Sequence, residues 1–141
     1  MNKKRIEIVN NLSELESLVA FVQKTSDEWN LSPKLRFNLN LVLEELVTNT
    51  ISYGYHDIPN QDQTINIVMV LDDGKLSITI TDRAQAFNPV QKEDPSIHNK
   101  SIEEREVGGL GIYLVKQLMD EIEYKREDGQ NVLVLRTELK D

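Results

Sequence analysis

Residues 64–82, TINIVMVLDDGKLSITITD, constrain the fold more than any other stretch of the chain. Two runs with period-two alternation flank Asp72-Asp73-Gly74, which is hairpin-turn chemistry. In the second run Leu76, Ile78 and Ile80 point one way, while Ser77, Thr79 and Thr81 point the other. Such a ribbon has one apolar face and one wet face, the usual antiparallel arrangement. The apolar face must be buried under a second layer.

The rest of the chain supplies that layer. KRIEIV reads as a short strand near the start. Ser13 and Glu16 match a capping box, with Leu15, Leu18, Val19 and Val22 following at helical spacing. Ser32 as N-cap and Pro33 at the first helical position open a second helix. Its broad apolar face is Leu35, Leu39, Val42, Leu43, Leu46 and Val47, and the pattern runs to about Tyr53. GGLGIYLVKQLMD opens a third helix, with Ile112, Val115, Leu118, Met119 and Ile122 along one side. EIEYKRE and NVLVLRTEL, turned by Asp128-Gly129, complete the sheet. The expectation is an α+β fold, a two-layer α/β sandwich. Its mixed, mostly antiparallel sheet carries helices on one face, in a single domain over residues 1–141.

Composition narrows the chemistry. With 39% hydrophobic and 28% charged residues the chain is of the ordinary soluble globular kind. It has no cysteine, which excludes disulfides and thiolate metal sites. His56 and His98 alone leave little for a histidine zinc site or a Ser-His-Asp triad. A net charge of −8 argues against general nucleic-acid binding, which needs clustered Lys and Arg. No apolar run approaches a membrane span, and MNKKRIEIVNN lacks a signal-peptide core. The expected location is cytoplasmic, with no membrane or direct nucleic-acid contact. An acidic chain that binds nucleotide must compensate locally, with a metal ion, backbone amides or a few placed cations.

Three short motifs could build such a site. In LEELVTN, Glu45 and Asn49 are four apart and project from one helix face. The carboxylate can accept a proton and the amide oxygen suits Mg²⁺. Glu44 is turned about a quarter-turn away, and a simply solvated helix face is the bland alternative. Asp82 closes a clean strand beside a loop, where its acceptor-only carboxylate could read an exocyclic amine such as that of adenine. A turn-starting aspartate would look the same. Gly108, Gly109 and Gly111 open a helix whose N–H groups and dipole favour phosphate. They match neither the P-loop nor the full G-x-G-x-x-G pattern, and tight helix–sheet packing is the competing explanation. Between the last two motifs, residues 83–107 lose all periodicity, which suits a lid as well as a plain surface loop.

Taken together, the order and spacing of the three motifs resemble the N, G1 and G2 boxes of the GHKL (histidine-kinase-like) ATPase superfamily. The match is to LEELVTNTISYGY, DRAQAFNP and GGLGIYLVKQLMD. Within the superfamily the chain looks most like the RsbW-type anti-sigma-factor serine/threonine kinases. The resemblance implies ATP and Mg²⁺ as ligands, with Glu45 as general base toward a partner's Ser or Thr hydroxyl. It also implies Asn49 on Mg²⁺ and Asp82 on the adenine amine. The G1 position would fall on Ala84, and the turn under the phosphates on Gly108, Gly109, Leu110 and Gly111. Arg105, in the expected lid, would be the cation for the γ-phosphate. A homodimer, a STAS-domain anti-anti-sigma protein that is phosphorylated, and a sigma factor held inactive are implied as partners. Ala84 departs from the family, whose G1 box carries glycine there. A left-handed backbone at that position would cost alanine about 1–2 kcal/mol, roughly tenfold in affinity. The alternative is a non-catalytic, ATP- or ADP-responsive binding module.

Overall fold

The computed structural model describes residues 1–51, 64–84 and 109–139. Strand β1 (Asn2–Val9) leads through a short 3-10 turn into helix α1 (Leu15–Glu28) and helix α2 (Pro33–Asn49). Strands β2 (Thr64–Asp72) and β3 (Lys75–Asp82) form a hairpin. Helix α3 (Gly109–Leu118) precedes a second hairpin, β4 (Glu121–Glu127) and β5 (Gln130–Glu138). The strands line up as β1-β2-β3-β5-β4, so the inner strand of the second hairpin pairs with β3. All four pairings are antiparallel. The sheet is thus antiparallel throughout the described residues, because α1 and α2 return the chain to β1's own neighbour in the opposite direction.

Alternation in the strands decides which face is covered. Ile65, Ile67 and Met69 of β2 and Leu76 and Ile78 of β3 are buried, as are Leu133 and Leu135 of β5. They join Leu18 and Val22 of α1, Leu39, Val42, Leu43, Leu46 and Val47 of α2, and Val115 of α3 in one core. Ser77, Thr79 and Thr81 are half-buried on the opposite face, which no described helix covers. Each fully buried aliphatic side chain contributes about 1.5–3 kcal/mol, so this α2–sheet interface is the main stabilising contact.

Local signals fix the element ends. Ser32 Oγ accepts from the Leu35 N–H at 3.2 Å and Pro33 occupies the first turn, as the sequence predicts. The Ser13/Glu16 capping box does not form. Asn11 Oδ1 instead accepts from the Ser13 N–H at 2.9 Å and starts a 3-10 turn, so α1 begins only at Leu15. The α-helical part of α2 ends at Asn49, residues 50 and 51 continue as a π turn, and Tyr53 lies outside the described residues. The Thr50 N–H is shared between the Leu46 and Val47 carbonyls, and Thr50 Oγ1 also turns back onto Leu46 at 3.1 Å. Ile122 belongs to β4, opposite Leu135, and does not continue α3. Both hairpins use paired positive φ angles, Asp73 (52°) with Gly74 (73°) and Asp128 (52°) with Gly129 (77°). That pairing matches the right-handed twist of two-residue hairpins.

Candidate functional site

The first element is the C-terminal half of α2. Val42, Leu43, Leu46 and Val47 pull one side of the helix into the core. The neighbouring flank then carries Glu45 and Asn49, both half-buried, while Glu44 is exposed. Asn49 Nδ2 donates to Glu45 Oε1 at 3.3 Å. This orientation turns the amide oxygen away from the carboxylate. The two groups are therefore presented side by side, a proton acceptor beside a hard oxygen donor.

The second element is the last row of the covered sheet face. Adjacent strands place Ile8, Ile65, Asp82, Asn131 and Arg126 in register. The row before it is Ile6, Ile67, Ile80, Leu133 and Tyr124. The face thus changes from apolar to polar at Asp82. Asp82 Oδ1 accepts from the Ala84 N–H at 3.0 Å and from Asn131 Nδ2 at 2.9 Å. Tyr124 Oη donates to Asn131 Oδ1 at 2.5 Å, and Arg126 Nη1 donates to the Ala84 carbonyl at 2.8 Å. Burial pushes the Asp82 carboxyl above its ordinary value, opposed by the Asn131 and Ala84 hydrogen bonds and the nearby Arg126 charge. A carboxylate removed from water this way favours a ligand that donates to it.

Ala84 itself is 2% exposed and part of the core. The described non-glycine residues with positive φ are Asn30, Asp73 and Asp128, so Ala84 keeps an ordinary backbone. The left-handed penalty does not arise.

The third element is the start of α3. Gly109, Leu110 and Gly111 form its first turn, where backbone N–H groups lack helical partners. α3 packs against α2. Gly108 and Arg105 lie outside the described residues, as does the expected lid beyond Ala84. The core ties the three elements together: Ala84 shares it with Leu46 and Val47 of α2 and Val115 of α3.

The motifs do not announce Asn131, Tyr124 and Arg126. Their signal is phase: Asn131 alternates with Leu133 and Leu135, and Arg126 with Ile122 and Tyr124. A polar residue in the inward phase of a strand becomes informative only once register sets it beside Asp82.

No group of three or more His, Cys, Asp or Glu side chains suited to a metal occurs among the described residues. The single amide oxygen of Asn49 does fit Mg²⁺, which is usually held by one or two protein ligands together with phosphate oxygens. No described helix is long and apolar enough to cross a membrane.

Comparison with known proteins gives the family. Residues 8–137 match the family described as histidine kinase-like ATPase domain. The serine/threonine-protein kinase BtrW of Bordetella bronchiseptica is 30% identical over 109 residues, 77% of this chain and 73% of that protein. The serine-protein kinase RsbW of Bacillus pumilus is 26% identical over 102 residues, 70% of this chain and 63% of that protein. In fold, the RsbU and RsbW domains of Rv1364c from Mycobacterium tuberculosis superpose with a TM-score of 0.69 at 15% identity. That match covers 99% of this chain and 33% of the larger one. The chain belongs to the histidine kinase-like ATPase family, and its relatives include serine/threonine-protein kinases of the RsbW and BtrW type.

Proposed function

We propose that this chain is an Mg-ATP-dependent protein serine/threonine kinase that works as a switch in a partner-exchange pathway. The observation that carries the reading is the Glu45–Asn49 pair, a proton acceptor and a cation ligand 3.3 Å apart on α2. Ala84, two residues after Asp82, and Val115 of α3 share one core with that helix. The relatives' names as serine/threonine-protein kinases support it further.

In this reading Asp82 takes the exocyclic amine of adenine. The G2 turn, Gly108 to Gly111, meets the phosphates with backbone N–H groups. Asn49 would hold Mg²⁺, which would supply charge neutralisation at the phosphates. Arg105 approaches the γ-phosphate. Glu45 takes the proton of the partner's hydroxyl as its oxygen bonds to the γ-phosphorus. The bond to the bridging oxygen breaks and ADP leaves with that electron pair. Phosphoryl transfer of this kind relies mostly on positioning and charge stabilisation. Ala84's ordinary backbone removes the strain that would have favoured a non-catalytic module.

A STAS-domain protein is the proposed phosphoacceptor, and a sigma factor the proposed second partner. A homodimer is supported by the uncovered sheet face. Val68, Val70, Val132 and Val134 sit half-buried there, beside Arg136, which is paired with Glu121 and Glu123 of β4. Two copies related by a two-fold axis could set these valines against each other.

The test is transfer of labelled γ-phosphate from ATP to a STAS-domain protein encoded beside this chain. Labelling that needs Mg²⁺ and disappears with Glu45→Gln supports a kinase. Nucleotide binding with no transfer by the wild type supports the binding module.

A further inference from the structure

Asp82 has two oxygens, and the described residues commit one of them. Oδ1 receives the Ala84 N–H at 3.0 Å and Asn131 Nδ2 at 2.9 Å. Among the described residues no hydrogen bond reaches Oδ2. Asn131 is 7% exposed, so its orientation must be satisfied within the protein. Turned round, its carboxamide would set oxygen against the carboxylate. Tyr124 enforces the same choice from the other side, donating its hydroxyl to Asn131 Oδ1 at 2.5 Å. Asn131 Nδ2 also stands 3.5 Å from the Ala84 carbonyl, which Arg126 Nη1 holds at 2.8 Å. Cross-strand register puts Asn131 directly opposite Asp82, so no loop movement is needed to keep the contact.

We propose that Asn131, locked by Tyr124, is a positioning residue: it commits Oδ1 of Asp82, presents Oδ2 alone to the base, and so selects purines carrying an exocyclic amine over those carrying a carbonyl at the same place. The inference deepens, and rests on, the reading of Asp82 as the base-recognition carboxylate. Without the Asn131 donor the carboxyl would turn about its own bond and hold a proton more readily. A protonated carboxyl donates, and it would then meet the carbonyl of hypoxanthine as well as the amine of adenine. A purely structural Asn131 would affect stability and leave the choice between the two bases alone.

The experiment compares calorimetric affinities for ATP and ITP in the wild type, Asn131→Leu, Asn131→Ser, Tyr124→Phe and Asp82→Asn. The wild type should prefer ATP by about tenfold or more, the worth of one hydrogen bond to a charged group. Asn131→Leu should erase most of that preference, chiefly by weakening ATP. Asn131→Ser, which retains a donor, should recover part of it. Tyr124→Phe removes a single hydroxyl and tests the lock if Asn131→Leu fails to fold; its preference should fall about threefold. Wild-type preference in both Tyr124→Phe and the folded Asn131 variants would overturn the proposal, whatever their melting temperatures. An Asp82→Asn protein that keeps the preference would instead remove the adenine reading, and this inference with it.

Discussion

Asn49 and Glu45 close on each other at 3.3 Å, one helical turn apart, on the flank of α2 that the core leaves half-buried. Each group satisfies the other before any ligand arrives, yet the contact uses only the amide nitrogen and one carboxylate oxygen. A cation at the amide oxygen and a hydroxyl at the carboxylate can be accommodated without dismantling the pair.

Glu45→Gln keeps the hydrogen-bonding shape and removes the base. ATP affinity should stay within about threefold, while phosphoryl transfer falls by about 10²–10⁴, the usual worth of a general base. Parallel calorimetry and transfer assays check this. A variant that loses both equally would assign Glu45 to binding instead.

Asn49→Ala should weaken ATP about tenfold in Mg²⁺ and leave affinity in EDTA nearly unchanged. Titration under both conditions separates a metal ligand from a residue that only packs.

Asp82 offers a pH signature in the protein without nucleotide. Burial raises its carboxyl above the ordinary value of 3.8, so the folded state favours the protonated form. For a raised acid, stability is fully present below the unfolded value and is lost as pH rises through the folded one. Asp82→Asn lacks that loss. Its stability relative to wild type should therefore grow as pH rises above the ordinary carboxyl value, and level off once the folded carboxyl has ionised. Urea unfolding across this range reads the difference. A difference independent of pH would mean that the folded carboxyl is not raised.

Leu43 is fully buried where α2 meets the sheet. Leu43→Ala should cost about 2–5 kcal/mol, against about 1 kcal/mol for Ser32→Ala, which removes the N-cap. Chemical denaturation of both variants tests whether this interface dominates stability.

Much of this architecture is legible in the string because single residues carry it. Leu76, Ile78 and Ile80 reveal the covered face of β3, Ser32-Pro33 marks the start of α2, and Asp-Gly pairs mark both hairpins. Ser13 and Glu16 mislead because Asn11 accepts from the Ser13 N–H and starts a 3-10 turn. Ile122 fits a helical period by coincidence, since the chain turns at Asp120 and enters β4. In the candidate site, Glu45 and Asn49 are readable from helical spacing and Asp82 from its place at a strand end. The partners that hold Asp82 are not. Asn131 lies 49 residues further on, and only the β3–β5 register makes the two neighbours.

The central claim is that α2, the end of β3 and the start of α3 serve one nucleotide. Calorimetric titration of Mg-ATP into the wild type, Asn49→Ala, Asp82→Ala and the double variant tests it most directly. The wild type should bind one ATP per chain, weakened by each single change and undetectable when both are made. No binding to the wild type, or binding that survives in the double variant, would contradict it.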